Sequence, residues 1–278
     1  MKLILEMLSY PFLLRAFAGG ILISLCAALL GVSLVLKRYS MIGDGLSHVS
    51  FGALSVAMAA GWAPLGVSVP VVVAAAFFLL RITENSRVKS DAAIAMISAG
   101  ALAVGIVVTS LTTGMTTDVS SYMFGSILAM SPSDVKLAAA LSAVVLFLFV
   151  FCYNKMFAVT FDENFARAAG VRVSFYKILT AVLTAVTIVV GMRMMGAMLI
   201  SSLIIFPALT SMGLFKSFRA VVLSSGAVSV VCFCVGMVVS YRFSIPAGAS
   251  VVLVNIGAFG AFRVLEKIRT VWGKRREE

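Results

Sequence analysis

Charged and strongly polar residues fall along this chain in short clusters, and long apolar runs separate them. Residues 16–36 carry no charge, residues 45–80 carry only His48, and residues 92–117, 194–215, 220–241 and 243–262 are again charge-free. A helix needs about 20 apolar residues to cross a bilayer. Backbone polar groups in hydrocarbon must pair within their own segment, which makes these runs helices rather than open strands. The short alternating segments of a membrane barrel are absent from the pattern. Spans are expected near 16–36, 42–61, 65–80, 92–113, 135–153, 178–192, 194–212, 220–241 and 247–264. Only Arg193 and Gly196 interrupt residues 178–212, so two short, partly broken elements are expected there. Residues 114–134 mix polarities, hold Asp118 and Asp134, and read as a partly buried or re-entrant outer segment. The fold class expected is an all-α polytopic membrane protein with about eight or nine transmembrane helices. Nine spans ending in a cytoplasmic tail place the N-terminus outside; eight place it inside.

Composition supports that reading. The chain is 62% hydrophobic and 12% charged, with a mean hydropathy of +1.11, too apolar for a water-soluble domain. Its net charge of +11 raises the question of nucleic acid. The basic residues, however, stand at span ends: Lys37, Arg38, Arg81, Arg87, Lys89, Lys155, Arg167, Arg172, Lys177, Lys216, Arg219 and the tail over 263–278. That is the pattern of cytoplasmic loops, and it leaves no face for a nucleic acid. Cys26, Cys152, Cys232 and Cys234 all lie in apolar runs without zinc-finger spacing and read as small buried hydrophobes. The first apolar run is too long for a cleaved signal peptide and is taken as the first span. Residues 1–278 are expected to form one transmembrane domain, surrounded by membrane lipid. Its longest inner loop is expected over 155–177.

Two ionisable residues break the second span. Asp44 and His48, the latter the one histidine of the chain, stand at i and i+4 on one helix face. Ionisable groups inside spans are costly and mark pathways or partners. A carboxylate with an imidazole suits zinc, and also manganese or iron. One helix supplies two ligands; two copies facing each other across a dimer axis supply the four of a tetrahedral zinc shell. The alternative is structural: Asp44 caps the helix and His48 hydrogen-bonds a neighbouring span.

In the inner loop, residues 162–171 read as a short helix. Asp162 and Glu163 open it and Gly170 stops it. Phe165 and Ala169 share a face, with Ala166 and Ala168 beside them. Such a helix either floats at the membrane interface or docks in a groove on a soluble partner. The chain contains no phosphate-binding G-x-x-x-x-G-K-[ST] loop, so any ATP that drives it is hydrolysed on another subunit.

Gly43-Asp44-Gly45-Leu46-Ser47-His48, preceded by Lys37-Arg38-Tyr39-Ser40-Met41, resembles the R-R-M-s-x-x-G-D-x-L-s-H signature of the permeases of zinc- and manganese-type metal-ion ABC importers. Further segments match in order: Ser121 to Ser126 is similar to Y-L-F-G, and 162–171 to the ATPase-coupling element. Gly196 to Ala208 resembles V-G-A-L-L-v-x-a-L-L-I-I-P-A, and Ile245 to Ser250 resembles t-P-A-G-p-x. Tyr39 replaces a common Met and Ala249 a common Pro, and Ser126 stands where some relatives carry Asp. The resemblance implies a permease of the bacterial cytoplasmic membrane that imports divalent metal by alternating access. The expected cargo is zinc, with manganese or iron as the alternative, and no permanently bound cofactor. It implies a second copy of the chain, two cytosolic ATPase subunits that hold the ATP, and an extracytoplasmic metal-binding protein. It assigns the ion to Asp44 and His48, and ATPase coupling to Asp162, Glu163, Phe165, Ala166, Ala169 and Gly170. A proton-driven secondary transporter would show more intramembrane acids. An intramembrane metalloenzyme would need a further ligand or base.

Overall fold

The structure, a computed structural model, describes residues 6, 7, 9–85, 90–112, 125, 127 and 130–274. The helices are α1 (Pro11–Leu36), α2 (Ile42–Ala59), α3 (Pro64–Asn85), α4 (Ser90–Leu111), α5 (Pro132–Phe151), α6 (Tyr153–Phe161), α7 (Glu163–Ala168), α8 (Val173–Met195), α9 (Ala197–Leu214), α10 (Phe218–Phe243) and α11 (Ala247–Lys274). Among the described residues 7 helices are long and apolar enough to cross a membrane: α1, α4, α5 and α8 to α11. Helices α2, of 18 residues, and α3, apolar over Pro64–Leu79, pack among them. The short, broken elements expected over 178–212 are instead two full helices of 23 and 18 residues, interrupted only at Gly196 with φ 90°. The basic tail continues α11 as helix to Lys274. Most of the ambiguous segment 114–134 lies outside the described residues.

Helix α1 is the hub, packed by α5, α8, α9 and α10. Its small residues let backbones approach: a Cβ on Gly31 would stand 2.1 Å from the Ile204 carbonyl oxygen of α9. Antiparallel α10 is stitched to it by serines. The Ser225 hydroxyl donates to the Ala28 carbonyl at 3.3 Å, and the Ser229 hydroxyl to that of Ser24 at 3.0 Å.

Neighbour pairs fix depth. Helix α1 ends in a Schellman turn: the Tyr39 N–H donates to the Leu34 carbonyl at 2.9 Å and the Arg38 N–H to that of Val35 at 3.0 Å. Arg38 takes the left-handed conformation, φ 62°, that glycine usually fills. The chain then climbs back before α2 begins. A Cβ on Gly43 would meet Ile204 and Ser201, the level of α9 that Gly31 also touches. Gly31 lies five residues above the end of α1, so α2 starts about 8 Å inside the inner ends of its neighbours. It then runs parallel to α4, with Gly45 against Ile94 and Gly52 against Ala101. At its far end Gly61, φ 70°, closes a second Schellman turn, and Trp62 stands 61% exposed at the outer interface.

Candidate metal site and inner docking helix

Helix α2 is buried nearly all round. Its residues that are not buried are Asp44, His48, Val56, Met58 and Ala59; Asp44, His48 and Ala59 lie along one stripe, with Val56 and Met58 on either side of it. The two ionisable groups therefore look out of the protomer along the single open stripe of the helix. Asp44 Oδ2 and His48 Nε2 lie 3.6 Å apart, with side-chain exposures of 42% and 15%. That is charge-pairing distance, longer than a good hydrogen bond. The N-cap position belongs to Met41, which offers no side-chain cap. Asp44 sits within the first turn, where the helix dipole favours a carboxylate. Gly43 and Gly45 keep the flanks thin, while the Ser47 hydroxyl bonds back to the Gly43 carbonyl at 2.8 Å and takes no part in the open face. Among the described residues no group of three or more His, Cys, Asp or Glu gathers to hold a metal. One protomer thus brings together two side chains of metal-binding chemistry, a carboxylate and an imidazole.

The inner helix is built differently. The Asp162 carboxylate accepts from the N–H groups of Asn164 at 2.9 Å and Phe165 at 3.0 Å, which caps α7. Gly170, φ 78°, ends it in a Schellman turn, with the Val171 N–H on the Ala166 carbonyl at 2.9 Å. Glu163 turns inward to two lysines: Lys37 Nζ at 2.8 Å, at the end of α1, and Lys177 Nζ at 2.5 Å, on α8. Burial alone would raise the Glu163 pKa; hydrogen bonds and charge from Lys177 and Lys37 outweigh it and hold the carboxyl below its usual range. Ala166 is fully buried against Val159 and Val173, while Phe165 is 67% exposed and Ala169 is exposed with it. The residues expected to act together thus divide. Glu163 and Ala166 anchor the helix; Phe165 and Ala169 are presented to the cytoplasm.

Lys37 and Lys177 were not read from sequence as partners of Glu163, and no local pattern links positions so far apart. Helix α6 was also missed, inside the supposed loop. Its signal was present: Phe157 and Phe161 at i and i+4, opposite Met156 and Val159, and the two phenylalanines pack with Phe218 at 5.0 and 6.0 Å.

At the outer side the separated motifs converge. A Cβ on Gly125, φ 69°, would lie 2.1 Å from the Met195 carbonyl carbon, so only glycine lets this strand of chain rest on the Met195–Gly196 peptide. Gly125 and Met195 line one outer cavity with Ile245, Pro246 and Ala247. Nearby, Asp134 of α5 and Arg193 of α8 pair at 3.5 Å. Of the Ser121 to Ser126 motif only Gly125 lies within the described residues.

Residues 9–264 match the family model described as the ABC 3 transport family. The chain is 30% identical over 275 residues, 96% of its length and 98% of the relative's, to a "Probable iron transport system membrane protein" of Haemophilus influenzae. It is 28% identical over 246 residues, 88% of each chain, to the manganese import system permease protein ScaB of Streptococcus gordonii. Among solved structures, PsaBC from Streptococcus pneumoniae in complex with Fab superposes with a TM-score of 0.84 at 28% identity, covering 94% of both chains.

Proposed function

The chain belongs to the ABC 3 transport family, as a multi-pass membrane permease of a metal-ion importer, and from that premise we propose that Asp44 and His48 carry divalent metal, zinc first, through the bilayer. The observation that carries the reading is the open stripe of α2: a carboxylate and an imidazole side by side on a helix otherwise sealed in the protein. Two such half-sites facing each other in a homodimer supply four ligands, which meets the coordination zinc asks for. A bound ion held by so few groups leaves readily, as transport requires.

The expected cycle is alternating access. An extracytoplasmic binding protein delivers the ion at the outer cavity, and two cytosolic ATPase subunits power the change of state. Phe165 and Ala169 offer the ATPase its apolar contact. Glu163 ties the same helix to Lys37, one residue before the Arg38 turn that leads into α2, and to α8. Movement of α7 thereby bears on the base of the metal helix. The residues in this chain supply geometry and differential affinity in two states rather than covalent chemistry.

A second reading, manganese or iron as cargo, is favoured by the names of the relatives above and by the carboxylate of Asp44, a hard ligand. Uptake by the reconstituted transporter, measured for zinc, manganese and iron(II) singly and in competition, decides between them. Zinc is expected to be carried fastest and to suppress the others. Manganese or iron uptake that zinc fails to suppress reassigns the cargo.

A further inference from the structure

On the cytoplasmic half of the protein, α5 and α10 stand apart and leave α1 visible between them. The groove encloses about 880 Å³. Leu25 and Leu29 of α1 form its floor, Leu146 and Val150 of α5 one wall, and Leu223 and Ala227 of α10 the other. Its inner end changes character: Tyr153, Asn154 and Arg219 close it. Arg219 is exposed, and no ion pair engages it among the described residues. Its charge reaches Tyr153: burial pushes that phenol up, and the Arg219 cation opposes the rise.

The dimensions fit one kind of occupant. Arg219 and Ala227 are eight residues apart on α10, about 12 Å along the helix axis. One leaflet of hydrocarbon is about 15 Å deep, half of the roughly 30 Å core. The apolar walls therefore span the depth of an inner-leaflet acyl chain, and the basic end sits at headgroup level. Lys155 and Lys216 flank the same end in sequence, and the groove lining holds no acidic residue. Basic pockets between spans on the cytoplasmic side are suited to anionic headgroups. We infer that this groove is a specific site for an anionic glycerophospholipid of the inner leaflet, its acyl chain on Leu25 and Leu29 and its phosphate on Arg219. The contact at Arg219 is a charge-assisted hydrogen bond, which sets the lipid apart from the exchanging annulus. Helix α6 begins at the same place, with Tyr153 tilted against Phe218 at 5.5 Å. A seated lipid therefore also braces the element that leads into α7.

The full-length chain, purified in mild detergent, is offered an equimolar mixture of phosphatidylglycerol and phosphatidylcholine with identical acyl chains, and the retained lipid is counted by native mass spectrometry. Phosphatidylglycerol is expected to be retained on the order of tenfold over phosphatidylcholine. Arg219→Gln, at an exposed position, is expected to erase that preference. Ala227→Trp, also exposed, fills the groove and is expected to lower retention of both lipids. Equal retention of the two lipids by the unmodified chain overturns the assignment, as does an undiminished preference in Arg219→Gln. Unchanged occupancy in Ala227→Trp removes the lipid from this groove.

Discussion

The stripe on α2 and the helix α7 are both polar features of an apolar protein, yet they are constructed on opposite plans. On α2 the two ionisable groups stand 3.6 Å apart on the least buried stripe of the helix, and among the described residues no third His, Cys, Asp or Glu gathers to them. On α7 both carboxylates have partners: Asp162 caps two N–H groups, and Glu163 binds two lysines. The contrast suits the two roles proposed for them. A cargo site must be emptied in every cycle, so a fully satisfied shell would defeat it. A part that transmits motion must keep its shape while it moves, and doubled contacts provide that.

The comparison can be broken most severely at α2. His48→Ala, and equally Asp44→Ala, should lower metal uptake by more than about a hundredfold, beyond the 10–100-fold typical of groups that only support a ligand. Membrane insertion and ATPase binding should survive, measured by uptake beside co-purification. Robust uptake by a well-expressed variant would remove the metal role from the stripe. Next comes Phe165→Asp. A charge placed on the presented apolar face should strip the ATPase subunit from the purified complex, read by co-purification, and leave the fold of α7 intact because Phe165 is exposed. A complex that still assembles means that α7 is not the docking element.

Glu163→Gln sharpens the distinction between anchor and contact. The complex should assemble normally, but ions moved per ATP hydrolysed should fall about fivefold or more, the scale of a coupling energy between sites. Coupling unchanged in that variant, with assembly intact, confines Glu163 to a local structural role. The smallest effect is on pH. Folding lowers the Glu163 pKa, so its stabilising contribution is present above the ordinary value of 4.5 and is lost only as pH falls through the lowered one. Amide protection in α7, taken relative to the intrinsic exchange rate at each pH, should therefore stay level from about pH 7 to 5 and fall only under stronger acid. Protection lost already near neutral pH shows that the anchor is not the carboxylate.

Much of this was open to reading in the chain. The spans announced themselves because membrane burial demands long apolar runs, and Asp44 and His48 because charge is scarce inside them. Turn chemistry was legible at Gly170 and around Trp62. What escaped were relations set by tertiary packing. Arg193 and Gly196 suggested damaged helices, but a single glycine between two complete ones sufficed. The 155–177 loop hid α6, whose short aromatic period is easily taken for interfacial irregularity. The lysine partners of Glu163 and the meeting of Gly125 with the Met195–Gly196 peptide join positions that no periodicity connects. The signature residues Asp162 to Gly170 were found as a set, yet only coordinates separate those facing in from those facing out.

The composition of α2 also governs how this protein is made. Asp44, His48, three serines and three glycines make the helix less apolar than α1 and α4. Released alone from the translocation channel, it would partition into lipid less readily than they do. It rests along its length on α4, which emerges later in synthesis. Helix α2 therefore completes its packing only after α3 and α4 have been made, and the helix that carries Asp44 and His48 is settled late in assembly.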